Sequence, residues 1–206
     1  MYRLITTRAC GSAIVEAGFV LAGVPYGIDE IDYATPGPEQ DRLKALNPLG
    51  QVPTLVLPDG RVLTESAAML LHLADVAPDS GLAPPADHPR RPEFLRWLVF
   101  IVAAIYPTYT YGDDPAKWVG EAAGPALRES TDRHRERLWQ YVESQIAPDP
   151  WFLGQTFSAL DLYAAVMTRW RPRGAWFEAN CPLLFSIQRR VAELPALEEV
   201  WQRNFA

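Results

Sequence analysis

The sequence predicts an α/β domain over residues 1–77, a linker over 78–89 and an all-α domain over 90–206. Three observations carry this division. Short strand-like and helix-like segments alternate through the first 77 residues, and no convincing strand follows them. The composition also changes, since all seven tryptophans lie at or beyond Trp97. Between the two parts, Pro78 to Pro89 is dense in proline and turn formers, which interrupt periodic structure.

The first element is a short apolar strand, Tyr2 to Thr6. Ser12 to Ala22 follows as a helix, with Ile14, Val15, Gly18, Phe19 and Ala22 at helical spacing and Gly23 as its stop. Gly27 to Asp32 reads as a strand and Glu39 to Leu46 as a short helix. Thr54–Leu57 and Val62–Thr64 flank the turn Pro58-Asp59-Gly60, a hairpin signal. Ser66 to Val76 is helical, so the order is βαβ, helix, ββα. Beyond the linker, Pro92 suits the first turn of a helix running to Tyr106, where Pro107 is expected to end it. Further helices are expected over Pro125–Ile146, Ala159–Trp170 and Pro182–Glu193, and from Pro195 onward.

Composition narrows the function classes. Hydrophobic residues are 49% of the 206 and charged ones 21%, enough apolar mass for a packed core. A net charge of −6 without a basic block argues against nucleic acid, whose phosphates would repel it. Arg133, Arg135 and Arg137 lie among Glu129, Asp132 and Glu136, which reads as a solvated, salt-bridging helix face. The only cysteines, Cys10 and Cys181, form no CxxC pair, and His72, His88 and His134 lack ligand spacing, so neither disulfide nor metal is expected. The N-terminus lacks a charged start followed by a long apolar run, and Trp97 to Tyr106 is too short to span a bilayer. A cytosolic protein without membrane contact is expected.

Four local features bear on chemistry. Gln51-Val52-Pro53-Thr54 puts a proline at the start of a strand, either as an ordinary trans residue or as a cis peptide. Thr64-Glu65-Ser66-Ala67 puts Ser66 at a helix N-terminus, where free amides favour an anion; simple capping is the other reading. Thr6 to Ser12 joins the first strand to the first helix, with Ser12 as a cap or as a donor to a ligand thiolate. Cys10 in the same loop is either a reactive thiol or a small buried hydrophobe. Ser158-Ala159-Leu160-Asp161 matches a capping box.

In order and spacing, these segments resemble the glutathione transferase family over nearly the whole chain. The matching residues are Asn47-Pro48-Leu49-Gly50, Gln51-Val52-Pro53-Thr54-Leu55, Thr64-Glu65-Ser66-Ala67-Ala68-Met69-Leu70-Leu71 and Phe157-Ser158-Ala159-Leu160-Asp161. The resemblance implies a thioredoxin-like N-terminal domain that binds glutathione as co-substrate, an all-helical C-terminal domain, and a homodimer. It implies a cis peptide at Val52-Pro53, with the Val52 backbone pairing with the cysteinyl part of glutathione. Glu65 and Ser66 would hold the γ-glutamyl group, and Gln51 is a further contact. Tyr106, Tyr109, Tyr111 and Trp118 are candidates for an apolar pocket that takes a small electrophile.

Cys10 resembles the N-terminal cysteine of the beta-class bacterial enzymes, but Tyr106 stands where that class usually has a histidine. Ser12 resembles the serine of theta- and zeta-like enzymes and is favoured over Cys10 as the group that activates the thiol. The expected reaction is attack by glutathione thiolate on an electrophile. Its rivals are glutathione-dependent thiol–disulfide exchange through Cys10 and a non-catalytic binding module of the same fold.

Overall fold

A computed structural model describes residues 1–206. Its N-terminal part orders as β1 (Tyr2–Thr6), α1 (Ser12–Ala22), β2 (Tyr26–Glu30), α2 (Pro38–Leu46), β3 (Thr54–Val56), β4 (Val62–Leu63) and α3 (Ser66–Val76). The four strands form one sheet in the order β2-β1-β3-β4, with β1 parallel to β2 and the other pairs antiparallel. This is the expected thioredoxin-like arrangement. Alternation along β1 sends successive side chains to opposite faces. Leu4 enters the main core, while Ile5 packs with Ile31 and Leu43 in a small cluster on the other face.

The remainder is helical: α4 (Arg91–Phe100), α5 (Tyr106–Asp113), α6 (Ala116–Val119), α7 (Gly124–Gln145), α8 (Ala159–Met167), α9 (Gly174–Asn180), α10 (Pro182–Ala192) and α11 (Glu198–Phe205). The helix expected to stop before Pro107 continues to Asp113. A π-helical turn over Ile101–Ile105 joins α4 to α5 immediately ahead of the proline. Proline removes one backbone donor, and the wider turn accommodates that loss without breaking the rod. By length and composition the run Arg91–Asp113 is apolar enough to cross a membrane. Here Phe94, Trp97, Leu98, Ile101 and Ile105 bury it in the protein core.

The linker is packed rather than loose. Leu82 and Ala83 are buried, and the Leu82 carbonyl accepts from the Ala159 amide at the start of α8. One apolar core runs from β1, α1 and α3 into α8 and α10. The C-terminal end is tied to α1. Glu16, 1% exposed, accepts from Asn204 Nδ2 at 3.0 Å and pairs with Arg203 at 3.2 Å.

The arginine face read from the sequence is only partly solvated. Arg133 pairs in the open with Glu129. Arg135 is fully buried: it bonds Asp132 and the Thr108 carbonyl, and its guanidinium lies 4.2 Å from the Tyr109 ring centroid. A helix seen only as a charge pattern does not reveal which face meets α5.

Candidate functional site

The loop from β1 to α1 carries Cys10 and Ser12, and the structure separates their roles. Ser12 is 0% exposed. Its hydroxyl accepts from Thr6 Oγ1 at 2.6 Å and donates to the Thr7 carbonyl at 2.9 Å. Its one proton is therefore given to a carbonyl inside the fold. Ser12 is not the cap of α1, since that position falls on Gly11.

Cys10 is half-buried in the loop ahead of α1. Burial raises its thiol pKa above the ordinary value, a hydrogen bond from Tyr33 partly offsets this, and the charge of Asp113 adds to the rise. Burial thus disfavours the thiolate, the form in which a cysteine is nucleophilic.

Gly11 shows what lies opposite. A Cβ there would sit 1.9 Å from the Tyr106 hydroxyl and 3.9 Å from Pro53 Cδ. Only glycine allows this approach, so the Tyr106 hydroxyl reaches the N-terminus of α1 beside Cys10 and Pro53. No protein group takes its proton. Burial holds its pKa well above the ordinary tyrosine value, so it remains a neutral donor.

The Val52–Pro53 peptide is cis, as the motif implied. Neither the Val52 amide nor its carbonyl finds a partner within the protein, although most backbone polar groups in folded chains are paired. The loop that presents Val52 is held by buried Asn47. Its Nδ2 donates to the Gln51 carbonyl and to Thr54 Oγ1, both at 3.1 Å, and its Oδ1 accepts from the Leu49 amide. The Gln51 side chain is exposed and unpaired.

At the start of α3, Glu65 is exposed with φ 67° and ψ 109°. A non-glycine residue in this region costs about 1–3 kcal/mol and persists only where its surroundings enforce it. Ser66 follows, buried, with its Oγ 2.6 Å from the Tyr163 hydroxyl.

The aromatic candidates divide. Tyr106 reaches the loop. Tyr109, 4% exposed, belongs to the core: it is stacked on Arg135, and its hydroxyl accepts from Trp139 Nε1 at 3.4 Å. Tyr111 and Trp118 are exposed and pack edge to face at 4.8 Å. At the Ser158-Asp161 capping box, Asp161 accepts from the amides of Phe152 and Ser158. Burial outweighs those bonds and pushes its pKa up to about 7.

Tyr33, Tyr163 and Trp170 were not singled out by the sequence. Tyr163 and Trp170 reach this region from 97 and 161 residues away from their partners, and no local signal marks them. Asn47 carries a local signal, since an asparagine ahead of Pro-x-Gly is a turn former.

The N-terminal domain of glutathione S-transferases matches residues 15–76. Over 205 residues the chain is 37% identical to the uncharacterised GST-like protein YncG of Escherichia coli, covering 99% of this chain and 98% of that protein. The chain belongs to the glutathione S-transferase family. Within it, the chain is also 30% identical over 158 residues to the E. coli glutathione S-transferase GstA, covering 75% of this chain and 74% of that one. A Sulfitobacter glutathione transferase homologue, solved with bound glutathione, superposes with a TM-score of 0.88 at 24% identity, covering 100% of this chain and 99% of that one. A Methylococcus capsulatus glutathione transferase superposes at 0.83 with 26% identity and 98% of each chain covered. In this family member, the motifs at Gln51-Val52-Pro53 and Glu65-Ser66 fall within the matched N-terminal segment.

Proposed function

We propose that the protein is a glutathione transferase that adds glutathione thiolate to a small, apolar electrophile. The unpartnered Tyr106 hydroxyl, aimed at the start of α1 beside Cys10 and Pro53, carries this reading. A free thiol has a pKa of about 8.5, so only a few per cent is thiolate at pH 7. A thiol placed there meets a neutral phenol and an S–H donor near the positive end of α1, and each favours the ionised sulfur.

The unpaired Val52 amide and carbonyl are the partners an extended cysteinyl backbone needs. Glu65 supplies a charge for an ammonium group, and Ser66 with the first amides of α3 supplies donors for a carboxylate. Together they suit the γ-glutamyl end of glutathione. Tyr111 and Trp118 are the exposed apolar surface for the second substrate.

The test is a spectroscopic titration of bound glutathione thiol in wild type, Tyr106→Phe and Cys10→Ala. The expected result is binding in all three, with the thiol pKa lowest in wild type and raised in Tyr106→Phe. No binding by wild type overturns the reading. Turnover of a mixed disulfide, lost in Cys10→Ala and absent with a chlorinated aromatic, would replace conjugation by thiol–disulfide exchange.

A further inference from the structure

We propose that α8 and the turn that follows it position both ends of the glutathione site, Tyr163 by holding Ser66 and Trp170 by holding the Cys10 loop. The inference rests on the glutathione reading above and adds two positioning residues to it.

At one end, Tyr163 is fully buried and its hydroxyl meets only Ser66 Oγ, at 2.6 Å. Burial keeps that phenol protonated. When it donates to Ser66, the serine proton is free to point outward to an anion at the start of α3. The two hydroxyls then form a directed chain, and each bond strengthens the next.

At the other end, Trp170 Nε1 donates to the Ala9 carbonyl at 2.8 Å. Its ring meets Tyr106 edge-on at 5.5 Å and Tyr109 at 5.2 Å. One side chain therefore fixes the residue before Cys10 and supports the tyrosine opposite it.

Backbone conformation points the same way. Among non-glycine residues, positive φ occurs only at Ala9 (58°), Glu65 (67°) and Arg173 (79°). Ala9 carries the carbonyl held by Trp170, and Glu65 precedes the serine held by Tyr163. Such conformations persist where surrounding contacts enforce them.

Tyr163 lies within α8, and Trp170 lies in the turn beyond its end, where its amide donates to the Met167 carbonyl at 3.1 Å. Every residue of α8 is buried and its start is fixed by the Ser158-Asp161 box. The buried helix and its closing turn thus connect the sulfur end to the glutamyl end.

The experiment uses the whole chain with Tyr163→Phe, which removes the hydroxyl and keeps the ring, and Trp170→Phe, which removes the indole N–H and leaves a smaller aromatic ring. Tyr163→Phe is expected to raise the glutathione Kd about tenfold and to leave the rate of Cys10 alkylation by iodoacetamide within twofold. On a Ser66→Ala background it is expected to add nothing further. Trp170→Phe is expected to change the alkylation rate at least fivefold and the bound-thiol pKa, with Kd within threefold. The ¹⁵N-indole NMR signal of Trp170 in wild type provides a second reading, and alkylation of Cys10 is expected to shift it.

A purely structural role moves both readouts together with the melting temperature, and that pattern overturns the proposal. Unchanged Kd in Tyr163→Phe, or an unmoved indole signal, overturns the corresponding half. A wild type that fails to bind glutathione removes the functional reading and the Ser66 half with it. The alkylation and NMR measurements need no glutathione, so the loop half is decided separately.

Discussion

α1 and α3 both begin with a serine, Ser12 and Ser66, and both serines are buried. At α1 the hydroxyl turns back into its own loop, giving its proton to Thr7 and accepting from Thr6. At α3 no backbone carbonyl takes the Ser66 proton; its partner is a hydroxyl from α8, and the preceding Glu65 is forced to positive φ. The first serine braces its own loop, and the second ties α3 to α8. A serine at a helix start thus says little about chemistry until the destination of its proton is known.

The sharpest way to break the comparison is at the residue before Ser12. Gly11→Ala would drive a methyl into the Tyr106 hydroxyl. Conjugation, read as kcat/KM with a chlorinated aromatic, is expected to fall about 100-fold, the scale of a misplacement near 1 Å. Adding Tyr106→Phe to that variant is expected to recover part of the loss in ground-state binding. At α3, Glu65→Ala and Ser66→Ala are each expected to weaken glutathione binding by about 1.5–3 kcal/mol, roughly 10- to 150-fold by calorimetry; Glu65→Ala should preserve the melting temperature, and Ser66→Ala should lower it because the buried Tyr163 hydroxyl loses its partner. Unchanged affinity in both variants would place the glutamyl group elsewhere.

Asp161 gives the comparison a pH arm, because it anchors the helix that holds Ser66. Its carboxyl is pushed up to about 7 by burial, against an ordinary value near 4 in an unfolded chain. The folded state holds the extra proton between those limits. This contribution to stability is therefore complete below the unfolded value, declines as pH rises, and is gone above about 7. Melting curves across that window should show the decline in wild type and a flatter profile in Asp161→Asn. Ser158→Ala, which removes the cap, is expected to cost about 0.5–2 kcal/mol of stability at all pH values.

The smallest expected effect on chemistry is at α1. Ser12→Ala should cost about 1 kcal/mol of stability and leave the bound-thiol pKa unmoved, because the hydroxyl gives its proton to the Thr7 carbonyl. A raised thiol pKa in that variant would restore Ser12 as the donor.

The legible parts of the molecule are those with local causes. β1, α1 and α3 begin and end where periodicity and Gly23 place them, and the Val52-Pro53 and Glu65-Ser66 motifs sit at the loop and helix start expected for them. What escaped depends on distant partners. Tyr163 and Trp170 look like ordinary core aromatics until α8 is laid across the sheet domain. Arg135 looked solvated because its neighbours in sequence are charged, yet the face it shares with Trp139 and Val142 packs inward. Pro107 looked like a stop because the π turn that accommodates it has no sequence mark. The partner of Ser12 has no sequence mark either: the Thr7 carbonyl that accepts its proton is placed by the loop's shape, not by residue type.

The clasp between Glu16 and the pair Arg203 and Asn204 has a consequence for α11. Glu16 lies in the middle of α1, and its buried carboxyl depends on partners 187 and 188 residues away along the chain. Without α11, α1 can dock against α3 only by leaving that carboxyl without those partners or solvated. Loosening α11 therefore unpairs a buried acid inside the sheet-bearing part, so damage at one helix is felt in the other.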